Sequence, residues 1–402
     1  MKIAIIGAGA SGIIAALKAS VNNQVYLIDS NDKCGKKLLA TGSGHCNYWN
    51  SDIDVSKYQT DNFKKLQQII SKDNQAIVLS YLDSLGIYPK IKNGYYYPYS
   101  NQATSIRQIF ETNLNNEQNI NCLFNQKVID IKKKEQCFVI TTDKTKLEAD
   151  KVILSTGSKS YPKTGSDGTG YELAKRLGHN INPVLPALTK LITNDLQIKE
   201  WENVRTDATI KLYINNSHYQ TETGEIQLTK DGISGICTFN LSSVVAKNLY
   251  YHNKVSVSIN FLPHIENVYQ FLEERSNKLP NKSLEELLES IFNYKLLFTI
   301  LKKANIKKEV SWHLLQESDK LCLVDMIECF KLPIVATDTF DKSQVCTGGI
   351  SLSEINPETM ESLVISNLYL TGEILDVDGK CGGYNLAFAF ITGYLAGSGL
   401  SD

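Results

Sequence analysis

The sequence predicts an α/β protein: a Rossmann-like dinucleotide-binding domain built from both ends of the chain, with a β-rich domain inserted between them. Three observations carry this expectation. Gly7, Gly9 and Gly12 follow a short apolar run in the spacing G-x-G-x-x-G. From about residue 188 the chain turns to alternating segments rich in Thr, Val and Ile. Near the C-terminus, the stretch 369–386 (YLTGEILDVDGKCGGYNL) repeats the pattern of a strand end followed by a glycine-rich helix start.

The elements follow in order. Residues 1–6 read as a buried strand, 11–20 as a helix, and 25–28 as a second strand ending in Asp29, twenty residues beyond Gly9. Gly7 permits the tight turn, Gly9 lets backbone approach a pyrophosphate, Gly12 lets helix pack on strand, and Asp29 is placed to accept a ribose hydroxyl. Residues 67–85 have the spacing of one amphipathic helix, and 120–124, 127–131 and 137–141 alternate like antiparallel strands. Residues 151–154 form a buried strand that ends in the turn Ser155-Thr156-Gly157, where chain and cofactor are expected to meet again.

Pro183 and Pro186 mark the exit into the inserted domain. Within it 208–214 and 225–228 alternate as strands, and 264–320 reads as helical, with Leu284, Leu287, Leu288 and Ile291 at helical spacing. Residues 366–370 are the returning strand, and a terminal helix starts near Gly383. The expected domains are 1–187 and 336–402 as the two parts of the dinucleotide-binding domain, with 188–335 inserted.

Composition excludes several function classes. With 42 basic and 43 acidic residues the net charge is −1, so no global field draws the chain to nucleic acid or anionic lipid. Nine cysteines, an odd number with no C-x-x-C pair, argue against a disulfide framework or structural zinc and for a reducing cytoplasm. The apolar stretch 3–17 lacks a basic leader and is shorter than the roughly 20 residues that span a bilayer, so no membrane segment is expected. Asp376 and Asp378 resemble a metal pair, yet they sit among glycines, and no metal is expected.

Only one G-x-G-x-x-G is present, so a dedicated NAD(P) domain is not expected. Gly372 and Glu373 would touch the pyrophosphate and ribityl region of a cofactor stretched across the sheet. The free N–H groups at Gly383, Tyr384 and Asn385 would face an electron-rich atom, which on a flavin is O2. A helix N-terminus there stabilises the anionic reduced ring, which favours FAD over bound NAD.

Four ordered segments then carry a resemblance. They are 35–47 (GKKLLATGSGHCN); Ser155-Thr156-Gly157 with Tyr161-Pro162 and 165–171; Gly232-Ile233-Ser234-Gly235; and 372–376 through 382–385. On these the chain resembles the BaiN/RdsA family of NAD(P)/FAD-dependent oxidoreductases, the aminoacetone-oxidase-like flavoproteins. The resemblance implies a discontinuous FAD domain of the glutathione-reductase type, interrupted by a β-rich domain with a helical insertion. It also implies cofactor contacts at Ser11, Lys36, Lys37, Thr41, Gly42, Gly44, Asn47, Val128, Thr156, Gly157, Asp376 and Leu386, besides those already named. Two departures stand out: relatives carry Thr-His before the Gly-x-Ser-Gly motif and Pro after it, where this chain has Thr229-Lys230 and Ile236. His45 stands where the usual arginine precedes Cys-Asn.

The chemistry implied is reduction of a C=C bond conjugated to a carbonyl, with NAD(P)H as a transient electron donor. The substrate would be uracil of ribosomal RNA, giving dihydrouridine, or a 3-oxo bile-acid enone. Hydride reaches the β-carbon, charge builds on the carbonyl oxygen, and a proton must reach the α-carbon, so an acid is needed. Cys46, in its glycine-bracketed loop, is the first candidate acid and His45 the second; packing under the ring is the alternative for Cys46, and a solvated loop position for His45. Tyr161 and Lys163 could bond a carbonyl or merely shape a corner. The run Tyr95-Tyr96-Tyr97-Pro98-Tyr99 could stack on a base or pack as a β-hairpin, and Lys295, Lys302, Lys303, Lys307 and Lys308 could meet phosphate or form a solvated helix face. Two other functions fit the family: oxidation of a small amine such as aminoacetone, and a non-enzymatic flavin-holding protein that binds RNA or senses redox state.

Overall fold

A computed structural model describes residues 1–400, and the chain divides into two compact units. The first comprises Met1–Leu185 together with the chain from Phe340. Its centre is a five-stranded sheet in the order Leu368–Leu370, Lys151–Leu154, Lys2–Ile6, Gln24–Ile28, Ile120–Leu123, every pair parallel. Beyond their polar first residues the three inner strands are apolar, and all but Tyr26 of those positions are buried, as a sheet covered on both faces requires. The mixed α/β architecture with one parallel sheet and a separate antiparallel one is the class the sequence predicts.

The first helix, Ala10–Ala19, and the last, Tyr384–Ser398, approach to backbone contact. A Cβ built at Gly393 would sit 2.3 Å from the Ser11 carbonyl oxygen, and one at Gly397 would sit 2.7 Å from that of Ala15. Only glycine fits those positions, so the two ends of the chain close on one another through their smallest residues.

Two expectations are corrected here. The single helix expected over 67–85 is two, Phe63–Ile69 and Lys72–Ser84, because the Ser71 hydroxyl accepts from Asn74 N–H and starts a new helix. The strand near residue 120 does not join the antiparallel group. It is the edge of the parallel sheet beside Gln24–Ile28, and an edge strand with one open face alternates in sequence just as a half-buried antiparallel strand does. The antiparallel sheet contains Val128–Lys133, Phe138–Thr142 and Lys146–Ala149. The tyrosine run forms a hairpin, Pro89–Lys92 with Tyr95–Pro98, turned by Asn93 and Gly94 at φ 51° and 83° and extended by Trp49–Asn50.

The second unit, Pro186–Thr339, holds a seven-stranded antiparallel sheet centred on the long strands Arg205–Ile214 and Ser217–Thr229. Helix Ile236–Tyr250 contributes apolar side chains to its core, where Trp201, Phe261 and Phe330 pack ring against ring. The helical stretch contains Val268–Lys278, Leu284–Leu288, Tyr294–Lys303 and Glu317–Glu328. Of the five lysines singled out in the sequence, four are engaged, Lys302 with Glu200, Lys303 with Asp195, Lys308 with Glu285 and Lys295 with the Glu202 carbonyl, while Lys307 is exposed. Among the described residues no helix is long and apolar enough to cross a membrane, and no group of three His, Cys, Asp or Glu side chains is placed to hold a metal.

Candidate functional site

The glycine loop sits where the parallel strands end. A Cβ at Gly7 would lie 2.3 Å from the Ser155 carbonyl oxygen, and one at Gly12 would lie 1.9 Å from that of Gly7. Both glycines are therefore demanded by the protein's own backbone. Gly9 differs: a Cβ there meets nothing within 4 Å, its backbone is extended at φ −83°, and no side chain caps the helix it starts. That open space, at a helix N-terminus with free N–H groups, suits a diphosphate.

Asp29 ends the second strand. Its Oδ2 accepts from Ala8 N–H at 2.6 Å, and its Oδ1 accepts from Asn31 N–H at 2.7 Å and Asn31 Nδ2 at 2.9 Å. The acid thus holds the glycine loop in shape as well as lying at the sheet's carboxyl edge. Lys36 donates to Asn31 Oδ1 at 3.1 Å.

Three segments far apart in sequence meet at the strand ends. Lys37 Nζ lies 2.7 Å from both Glu373 Oε2 and Ser160 Oγ, and Ser158 Oγ reaches the same carboxylate oxygen at 3.4 Å. A Cβ at Gly372 would meet Ser11 Oγ at 2.6 Å, and Gly372 N–H donates to Thr392 Oγ1. Beside them the Thr156 hydroxyl oxygen is buried and makes no hydrogen bond, while Gly157 turns at φ 70°. An orphaned buried hydroxyl costs free energy unless a ligand pairs with it. That hydroxyl lies against Gly170, and it is the open space over Gly9 at an uncapped helix start that fits the diphosphate of a dinucleotide.

The last helix also starts without a side-chain cap. Gly383 precedes it at φ 92°, and a Cβ there would strike the Trp49 carbonyl at 2.5 Å. Asn385 clips the approach loop by accepting from Gly379 N–H and donating to Gly379 O, both at 2.8 Å, and the Tyr384 carbonyl accepts from the Tyr58 hydroxyl. Leu386 packs against the core. Asp376 is spoken for by the chain: it accepts from Gly348 N–H at 3.1 Å and Asn182 Nδ2 at 2.8 Å. Val128 is buried in the antiparallel sheet opposite Thr142.

The loop from Thr41 to Asn47 is wound by four left-handed residues, Gly42, Ser43, Gly44 and Cys46. A Cβ at Gly44 meets nothing within 4 Å. Asn47, with its amide nitrogen toward the carbonyls, donates to Trp49 O and Tyr96 O and ties the loop to the hairpin. His45 is exposed, its Nδ1 3.0 Å from the Asn101 carbonyl; a carbonyl only accepts, so Nδ1 carries the proton and Nε2 is left outward. Cys46 is fully buried and bonded to Thr41. Tyr161 is 38% exposed and holds its backbone N–H to Phe340 O at 2.9 Å.

Burial pushes the Cys46 thiol up from 9.0 to about 11, partly offset by its bond to Thr41. A raised folded-state value means this stability is fully present below pH 9 and is lost as pH rises through 11. The loss is about 3 kcal/mol. The guanidinium midpoint should therefore fall between pH 8 and pH 11 by less in Cys46→Ala than in the parent; equal falls would disprove the burial.

A sequence profile described as the HI0933-like protein Rossmann domain matches residues 1–399. The chain belongs to that family. It is an FAD-binding Rossmann family of oxidoreductases, so this HI0933-like chain is an enzyme. Over its full length it is 37% identical to the 3-dehydro-bile acid delta(4,6)-reductase of Clostridium scindens, covering 99% of that protein. It is 26% identical to the ribosomal RNA dihydrouridine synthases of Escherichia coli and Haemophilus influenzae, over 96% and 99% of this chain and 94% and 98% of theirs. Among solved structures, FrdA of an E. coli quinol fumarate reductase variant covers all of this chain and 70% of its own at a TM-score of 0.51 and 15% identity, a likeness of fold alone.

Sequence reasoning named Lys37 and Glu373 separately but missed that they pair, and it missed Ser158 and Ser160, which bond to that pair. Nothing in the sequence links positions more than 100 residues apart that meet only after folding.

Proposed function

We propose that this HI0933-like chain is an NAD(P)H-driven, FAD-dependent reductase of a C=C bond conjugated to a carbonyl in a small molecule. The observation that carries the reading is the 37% identity, from end to end, with a reductase of a 3-dehydro-bile acid. The RNA enzymes at 26% share the bond type, since uracil C5=C6 is also conjugated to a carbonyl.

Gly7, Gly9, Gly12 and Thr156 would hold the diphosphate end of FAD, and Lys37, Gly372 and Glu373 its middle. When bound and reduced by NAD(P)H, the flavin would supply hydride to the β-carbon of the substrate. The uncapped N–H groups at Tyr384 and Asn385 carry part of the helix's positive end and favour negative charge building nearby. His45 would be the proton donor in its imidazolium form: Nδ1–H stays bonded to Asn101 O while Nε2–H gives its proton to the α-carbon, leaving the neutral ring protonated at Nδ1. The buried Cys46 thiol serves packing in this reading, and Tyr161 lines the approach.

The test is spectroscopic. NADH or NADPH should bleach the yellow protein under nitrogen, and a cyclic enone should restore the colour with one equivalent of saturated ketone formed. In air, little peroxide should appear. Bleaching by aminoacetone with peroxide formation would replace the reductase by an amine oxidase, and a protein that no donor bleaches would not be an enzyme of this kind. Loss of ribosomal dihydrouridine in a deletion strain would move the substrate to RNA.

A further inference from the structure

The tyrosine hairpin has two unlike faces. Cross-strand pairing sets Lys90 opposite Tyr97 and Lys92 opposite Tyr95, while Ile91 faces Tyr96 on the other side. On that other side the Tyr96 ring meets Tyr48 edge-on at 6.2 Å, while Ile91 stays 56% exposed. On the Lys90, Lys92, Tyr95, Tyr97 side the lysines stand clear and the tyrosines are partly covered. Both lysines are exposed and neither has an acidic partner among the described residues; Tyr95 is 37% exposed and its hydroxyl bonds to nothing among them.

The face is continuous with the candidate site. A Cβ built at Gly382 would lie 2.7 Å from Tyr95 Cε1, so the ring rests on the residue immediately before Gly383, at the N-terminus of the last helix. Asn50 Nδ2 fixes that shelf by donating to Gly382 O at 2.9 Å. Tyr95 thus borders the start of the last helix, with Lys92 opposite it and Lys90 and Tyr97 the next pair along the same face.

We infer that this face is the subsite for the far end of the reducible substrate, a small, flat, conjugated carbonyl compound bearing a carboxylate. The ring system lies on Tyr95 and the carboxylate pairs with Lys90 and Lys92. The inference rests on the reductase reading above for what is reduced, but its geometry is independent of the reaction. The face measures about 7 Å along the strands and about 5 Å across them, the size of one ring system. A nucleic-acid tract needs several unpaired cations in succession; the lysines best placed by sequence to supply them, Lys302, Lys303 and Lys308, are bonded to carboxylates of their own unit.

The holoenzyme is tested with a cyclic enone carrying a side-chain carboxylate and with its methyl ester. Affinity is read from the perturbation of the flavin spectrum without donor, and kcat/KM from turnover. The acid should be preferred about tenfold at low salt, the preference shrinking as ionic strength rises. Lys90→Ala/Lys92→Ala, checked for full flavin content, should reduce that preference to near one, and Tyr95→Leu should weaken both ligands about fivefold. Equal binding of acid and ester by the parent, or an unchanged preference in the double variant, overturns the inference while leaving the reductase standing. If neither enone is reduced but the acid still binds tighter and the double variant abolishes the difference, the reductase reading fails and the subsite stands. Displacement of the acid by a short RNA at lower concentration than by the free acid overturns it in favour of nucleic acid.

Discussion

Gly9→Val is expected to fold and to be colourless. The extended backbone at Gly9 suits valine without strain, and its Cβ would have no protein atom within 4 Å, so the cost in stability is that of a poorer helix cap, about 1 kcal/mol. The same space is where the diphosphate backbone contact must form. Overlap there worth about 3 kcal/mol lowers FAD affinity about a hundredfold. Gly12→Val is the matched control with the opposite outcome: its Cβ falls 1.9 Å from the Gly7 carbonyl oxygen, so this variant should lose the folded state itself. Flavin content and thermal midpoint, measured on both, separate the two roles. Full flavin occupancy in Gly9→Val would remove the cofactor from this loop.

His45→Gln should retain FAD and be bleached by NAD(P)H at the parent rate, yet turn over enone about a hundredfold more slowly. That is the usual contribution of a positioned general acid. Glutamine keeps a side-chain donor for the Asn101 carbonyl and so preserves the loop, but it cannot release a proton. The split matters, because a merely structural histidine would change flavin content or bleaching along with turnover. Parent-like turnover in His45→Gln would assign proton delivery elsewhere. Full turnover in Cys46→Ala is expected alongside, since a thiol at zero exposure bonded to Thr41 has no path to a substrate carbon.

Much of the fold class was legible because it rests on local signals. A parallel strand buried on both faces must be apolar throughout, and a glycine fingerprint must sit at a strand-to-helix turn. Where local signals are ambiguous the reading failed: the edge strand Ile120–Leu123 has the alternation of an antiparallel strand, and Ser71 gives no periodic sign that it ends one helix and begins another. Charge was the least legible property. The lysines of Tyr294–Lys303 read as a basic face, but their partners Asp195 and Glu200 lie about 100 residues away in the chain.

By itself the sequence determined the family, the α/β class and the residues demanded by backbone geometry, because each of these is written in runs of fewer than twenty neighbours. Only the tertiary structure decided which side chains remain available for chemistry. It committed Asp376 to Gly348 and Asn182, buried Cys46 against Thr41, joined Lys37 to Glu373, set Tyr95 against Gly382 and left Lys90 and Lys92 exposed. The physical reason is that availability depends on which hydrogen-bond and ion-pair partners folding delivers, and those partners come from anywhere along the chain.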